Sequence, residues 1–236
     1  MRWRVAGTVI IGATECELST VVENMTGRRK EFFFPAVPAF RGSVGKKQVH
    51  VIRSGPGIAN AAAATAVAVQ KYKPEHIYNV GVCGVYADNA DLLACVVTGV
   101  EALFADAGVE LRSGYQSLQA IDLPLACLDD GSTVYNRVRL ADPGEAGLQQ
   151  AVFLTVSASS GCARRAKALA SRYRVKKGRL LCEDMESAAV GLIALKAAVP
   201  CTVIRGISNL CGSREHGSWR LTDAARAAQH VLLSIL

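Results

Sequence analysis

The sequence predicts a single-domain, three-layer α/β fold over residues 1–236, built on a central, mostly parallel or mixed sheet. Three observations predict it. Short β-branched apolar runs alternate with Ala- and Leu-rich runs along the chain, the pattern of a sheet covered by helices on both faces. Glycine-containing turns follow several apolar runs, at Gly12, Gly55, Gly57 and Gly84. Half of the 236 residues are hydrophobic, enough for a substantial core, and no Ser/Gly/Pro-rich linker or repeat divides them.

In order, residues 5–11 predict a buried strand closed by Gly12, and 15–25 a helix. Residues 32–34 and 48–53 predict strands separated by Pro and Gly. The Ala-rich run 58–72 predicts a strong helix between the Gly55-Pro56-Gly57 turn and Pro74. Strands follow at 76–82 and, as one long strand or two, within 92–103. Residues 106–150 show only short turns. Beyond them come a strand at 151–156, a helix at 162–172, a short strand at 180–182, a helix at 186–198 stopped before Pro200, and a strand at 201–207. An amphipathic helix at 222–235, with Thr222 as N-cap, ends the chain. Ligands of such sheets bind beyond the carboxyl ends of strands, which points to 12–17, 81–86, 156–161 and 208–212.

Composition narrows the class. The eight cysteines show no CxxC pair or Cys/His ligand spacing, and several sit in apolar runs. This predicts a reducing, cytoplasmic setting with no metal site or disulfide framework. The first apolar run is short and meets Glu15 and Glu17, unlike a secretory segment. No run approaches the ~20 apolar residues of a membrane span. The net charge of +7 owes much to Arg164, Arg165, Lys167, Arg172, Arg174, Lys176, Lys177 and Arg179. No aromatic array accompanies them, so a solvated helix face is favoured over a nucleic-acid patch.

Three stretches offer chemistry. In GATECE, Glu15 and Glu17 follow a strand end, where a carboxylate can orient and partly deprotonate a water. The plainer role is that of helix first-turn acids. In CEDMES, Glu183, Asp184 and Glu186 open an apolar helix, so an acid there lies near the interior and needs a partner. A ribose diol suits one carboxylate, and helix capping suits Asp184. In VIRGISN a strand runs into Ser208-Asn209, whose amide could address the N7 and 6-substituent edge of a purine.

Taken together, GATECE, SGPGIANAAAA, NVGVCG and EDMESAAV followed by VIRGISN resemble the nucleoside phosphorylase/nucleosidase superfamily over nearly the whole chain. The nearest branch holds methylthioadenosine/adenosylhomocysteine nucleosidases and futalosine hydrolases. The resemblance implies a phosphorylase/hydrolase-like sheet, Glu17 as water activator, Met185 under the ribose and Glu186 on its 2′ and 3′ hydroxyls. Val82, Cys83 and Gly84 would border the substrate, and Ser157, Ala158, Ser159 and Ser160 would frame the base. Adenine-releasing relatives carry a stacking Phe in that last segment, which is missing here, and an aspartate where this chain has Asn209.

Two departures shape the expected reaction. Glu15, Glu17 and Asn79 stand where phosphorylases hold phosphate, so water is the expected nucleophile. Asn209 can stabilise a departing 6-oxopurine but cannot protonate N7 as an aspartate can. With the tail SREHGSWRLTDA, this places futalosine hydrolysis first: dehypoxanthine futalosine and hypoxanthine, in menaquinone biosynthesis. Trp219 in that tail has a plainer role as an anchor for the last helix. A methylthioadenosine/adenosylhomocysteine or aminofutalosine nucleosidase releasing adenine comes second, then a purine nucleoside phosphorylase. Nucleic-acid or nucleoside binding without turnover is the non-enzymatic alternative. No cofactor is implied. The resemblance also implies a homodimer or higher homo-oligomer, with 103–109 closing a partner's pocket, and no nucleic-acid or membrane partner.

Overall fold

The computed structural model describes residues 7–145, 147–213 and 219–236. The first strand, β1 (Thr8–Gly12), has Val9, Ile10 and Ile11 fully buried. Residues 5 and 6 of the predicted strand lie outside the described residues. The expected helix over 15–25 shrinks to α1 (Ser19–Glu23), because residues 13–18 form turns around the inward-facing Glu17. Then come β2 (Thr26–Phe34), β3 (Val37–Val44) and β4 (Lys47–Arg53). β2 is longer than predicted and β3 was not predicted. β2 is an edge strand, largely exposed and carrying Arg28, Arg29 and Lys30, charges that discourage pairing with another chain.

Helix α2 (Ile58–Tyr72) has the predicted span and ends at left-handed Lys73, just before Pro74. Its small side chains, Ala61, Ala64 and Ala68, are buried and let it lie close on the layer below. β5 (His76–Val85) outlasts its predicted end. A 3-10 turn at Ala90–Leu92 precedes the single long strand β6 (Val96–Phe104). The region without a sequence pattern holds five short strands: β7 (Gly108–Leu111), β8 (Gly114–Ser117), β9 (Ala126–Cys127), β10 (Thr133–Val134) and β11 (Arg137–Arg139). β12 (Gln149–Thr155), α3 (Ala163–Arg172), β13 (Leu180–Asp184), α4 (Ser187–Lys196), β14 (Cys201–Leu210) and α5 (Leu221–Ile235) complete the chain. Thr222 is not the cap of α5; the helix starts one residue earlier, behind Arg220, with no side-chain cap bond.

Ten strands form one mixed sheet, ordered β11-β6-β12-β13-β5-β1-β4-β3-β2, with β14 bridging β5 and β6. β5, β14, β6, β12 and β13 therefore close on themselves as a small barrel beside an open wing. β1 lies parallel to β4 and β5, and β14 parallel to β5. β13 meets β5 antiparallel over only two pairs, Cys182↔Val85 and Glu183↔Gly84. In β14 the register shifts between Ile207 and Asn209, so the strand bulges at Ser208. A bulge re-aims the next side chain, and here that is Asn209. Buried apolar side chains such as Phe153, Ile204, Ile207 and Leu232 hold this frame rigid, each contributing about 1.5–3 kcal/mol by burial. Among the described residues, no helix is long and apolar enough to cross a membrane.

Candidate active site

The four predicted strand-end segments meet at one hollow of about 250 Å³. Glu17, Val82, Gly84, Met185, Glu186 and Asn209 line it, with Cys83, Ser159 and Ser160 beside them. Ser157 and Ala158, expected to frame the base, lie outside that lining. The Ser157 amide donates to Asp106 and the Ala158 carbonyl accepts from Arg165, which turns both toward the rim. Among the described residues, three larger clefts, of about 660, 620 and 350 Å³, lie elsewhere, the first around Arg29, Arg41 and Lys71, the second around Arg164 and Arg172, and the third around Glu15, Arg28 and Arg53. None of them brings Glu17, Glu186 and Asn209 together.

Glu17 is buried and points inward. Its Oε2 accepts from the Thr14 amide (2.8 Å) and hydroxyl (2.9 Å), and its Oε1 from the Val82 amide (3.0 Å). These donors fix the carboxylate above the Gly81–Val82 backbone while leaving it acceptor capacity toward the hollow. Gly81 is needed there, since a Cβ would collide with Glu17 Oε1 and Arg205 Nη1. Glu15 turns away, pairing with Arg53 at 2.6 Å on the exposed side.

Glu186 sits where α4 begins, and its Oε1 accepts from the Gly57 amide at 2.7 Å. Gly57 has φ +93°, a left-handed conformation that favours glycine. The SGPG turn thus delivers a backbone donor to an acid 129 residues away. Burial drives the Glu186 pKa up to about 7, despite the opposing Arg205 guanidinium; Asp184 and Glu17 push the same way. Arg205, 3.8 Å from Glu186, is the strongest opposing influence, yet it does not outweigh burial. A raised acid pKa means that the folded protein binds this proton more tightly than the unfolded chain. The associated stability is full below pH ~4.5 and is lost as pH rises through about 7. Denaturant unfolding should show wild type losing up to about 3 kcal/mol between about pH 5 and pH 8 from this group, a slope that Glu186→Gln should flatten.

Arg205 was not singled out from the sequence. It is 1% exposed, and its Nε donates to Asp184 at 3.1 Å. Its Nη2 donates to Asn79 Oδ1 at 2.6 Å and to Ser187 Oγ at 3.1 Å. Asn79 in turn donates to the Ile11 carbonyl at 3.0 Å, so it is an interior strut. Asp184 does more than cap: it accepts from the Ser187 amide at 3.3 Å and also from Thr155 and Arg205. The floor of the site is therefore one buried ionic network beneath Glu17 and Glu186.

Asn209 is held by its neighbours. Ser208 Oγ donates to Asn209 Oδ1 at 2.8 Å, and Asn209 Nδ2 donates to the Leu210 carbonyl at 3.2 Å. One N–H of the amide is left to address the hollow. Trp219, expected as a helix anchor, also lines the hollow, with Leu221. The tail residues 214–218 lie outside the described residues. In the basic run, Arg172 pairs with Glu110 at 3.2 Å and stacks on Tyr115, and Arg165 meets Asp106 at 3.4 Å. Among the described residues, no group of three or more His, Cys, Asp or Glu could hold a metal ion.

The model of the Phosphorylase superfamily matches residues 8–236. A 5′-methylthioadenosine/S-adenosylhomocysteine nucleosidase of Geobacillus sp. (strain WCH70) is 25% identical over 230 residues, covering 96% of each chain. One from Shewanella piezotolerans is 29% identical over 201 residues, covering 85% of this chain and 84% of its own. Among solved structures, the nucleosidase of that name from Neisseria meningitidis, in complex with methylthio-immucillin-A, superposes with a TM-score of 0.79 at 19% identity over 98% of both chains. A futalosine hydrolase mutant from Helicobacter pylori gives 0.80 at 19% identity over 98% of both chains.

Proposed function

The chain belongs to the Phosphorylase superfamily, and from that premise we propose that it hydrolyses the N-glycosidic bond of a purine ribonucleoside. The observation that carries this is the meeting of Glu17, Glu186 and Asn209 around one hollow whose lining, among the described residues, holds no Lys or Arg. Carboxylates repel a phosphate dianion at contact distance, and the Arg205 guanidinium is committed to Asp184 and Asn79 beneath the floor. Water is the nucleophile that fits.

The geometry supports three roles. Glu186 accepts from the ribose hydroxyls, which replace the solvent it has lost. Glu17, steadied by Thr14 and Val82, holds the attacking water and takes its proton as the C1′–N9 bond breaks. Asn209 Nδ2 donates to the charge growing on the departing base. This is the division of labour of an inverting glycosidase, with an amide on the leaving-group side.

For the substrate, the sequence relatives favour the methylthioadenosine/adenosylhomocysteine class over the futalosine reading, since futalosine hydrolase occurs here only as a structural neighbour. A second reading, a 6-oxopurine nucleoside such as futalosine, is favoured by one observation: the carboxamide of Asn209 has no proton to give N7. Incubating the protein with methylthioadenosine, futalosine and inosine without phosphate, and identifying the free base by chromatography, tests both. Release of no base from any of them would end the nucleosidase proposal. Asn209→Asp should raise kcat/KM for 6-aminopurine relative to 6-oxopurine nucleosides by about tenfold or more. A ratio within about twofold of wild type would remove the base-reading role.

A further inference from the structure

The open wing of the sheet carries a second cleft, of about 660 Å³. It lies at the amino ends of β1 and β4, beside Gly7, whereas the hollow lies past the carboxyl end of β1. The run of β1 from Thr8 to Gly12, roughly 13 Å of strand, separates the two.

Strands β2, β3 and β4 build one face of this cleft. Arg29 of β2 pairs with Arg41 of β3, and Arg41 pairs with His50 of β4. In the next such row, Ser43 pairs with Thr26 and with Gln48. Thr26 and Arg29 are three residues apart, and in a regular strand they would face opposite sides. The register shifts between them, where Gly27 takes φ +60°. That bulge turns Arg29 to the face of Arg41. Two guanidinium side chains therefore leave the sheet from directly opposed positions, with Cβ atoms about 5 Å apart.

Like charges placed this way oppose folding unless an anion joins them. Among the described residues, neither guanidinium makes a hydrogen bond or an ion pair. Glu31, the acid in the described lining, is already engaged. Its Oε1 accepts from the Tyr72 hydroxyl at 2.5 Å and pairs with His50 Nδ1 at 3.0 Å. Lys71 adds a third cation against that one carboxylate. Ser43 Oγ accepts from Gln48 Nε2 at 2.6 Å, so its own hydrogen is left to donate to a ligand. The Tyr72 ring stacks on His50 at 3.7 Å and on Phe33 at 5.9 Å, so the cleft offers charge and not a bare aromatic platform.

Guanidinium forks match the oxygens of a phosphate group in pairs. We infer that this cleft is a second ligand site, binding a phosphate dianion either free or as the end group of a small monoester. Arg29 and Arg41 clasp its oxygens, and the Ser43 hydroxyl donates to one of them. The site is separate from the glycosidic chemistry and does not depend on it.

Calorimetry with inorganic phosphate and with glycerol 3-phosphate tests this. Binding should weaken by about 10- to 100-fold in Arg29→Gln and in Arg41→Gln. Both arginines are exposed, so the variants should fold. Without phosphate, their thermal midpoints should equal or exceed that of wild type, because the two like charges no longer face each other. Glycerol 3-phosphate bound less than about tenfold tighter than inorganic phosphate would mark the free ion as the ligand, and a larger preference would mark a monoester; either supports the site. No binding at millimolar phosphate, affinity kept by both variants, or the same response to chloride at equal ionic strength would overturn it. Tighter binding by Glu17→Gln would place the anion in the hollow instead and overturn it too. A single-stranded oligonucleotide bound at least about tenfold more tightly than either anion, with steep loss in salt, would overturn it in favour of a nucleic-acid surface.

Discussion

Glu17→Gln is expected to lower turnover by about 10²–10⁴-fold, the usual contribution of a positioned general base. Glutamine has nearly the same shape, so the side chain can stay over Gly81 and Val82. What it loses is the ability to take a proton from water. It also gains an NH₂ that must face either the Thr14 pair or the Val82 amide, all of which donate to the native carboxylate. One donor-to-donor contact displaces the group slightly and adds to the loss. Affinity for the free base should change little, because Glu17 acts on water and not on the base. Single-turnover rates with an unchanged thermal midpoint would support this. Turnover within about threefold of wild type would remove the water-activating role from Glu17.

The largest effect on stability is expected at Arg205. Arg205→Met is close in length and apolar, yet should destabilise the protein by about 3–5 kcal/mol near neutral pH. Arg205 neutralises the buried Asp184 at 3.1 Å, stands 3.8 Å from Glu186 and satisfies Asn79. Without it, two buried carboxylates face each other with no cation, and an asparagine oxygen loses its donor. The deficit should narrow below about pH 7, where Glu186 is increasingly protonated even in the wild type. Denaturant midpoints at about pH 5.5 and pH 8 would check both size and sign. Arg205→Lys should recover only part of the loss, since an ammonium cannot span Asp184 and Asn79 as the guanidinium fork does. A loss under about 1 kcal/mol for Arg205→Met would mean that the network does not support the site.

Long connections of this kind hold the floor of the site together. Glu17, Glu186 and Asn209 are legible through the family resemblance of the motifs that hold them, since the local pattern of each acid fits a helix first-turn or capping role as well. Arg205 is invisible in the same reading. It is one basic residue in a strand of buried positions, and its partners Asp184 and Asn79 lie 21 and 126 residues away. Ser157 and Ala158 fall outside the lining of the hollow for the opposite reason: their neighbours Ser159 and Ser160 line it, but bonds to Asp106 and Arg165 hold these two at its rim.

What the sequence by itself determined is the alternating α/β plan, the span of α2 and the strand ends that meet at the hollow. These follow from short-range terms: periodicity, the Ala content of 58–72, and glycine and proline punctuation. Tertiary structure alone decided the edge strands β2 and β3, the five short strands between residues 108 and 139, the closure of the barrel through β14 and the buried ionic floor. Edge strands lack an apolar alternation because one side faces water. Strands of two to four residues carry too few side chains for a period to register. A buried charge is stable only beside partners that the fold brings from distant points of the chain.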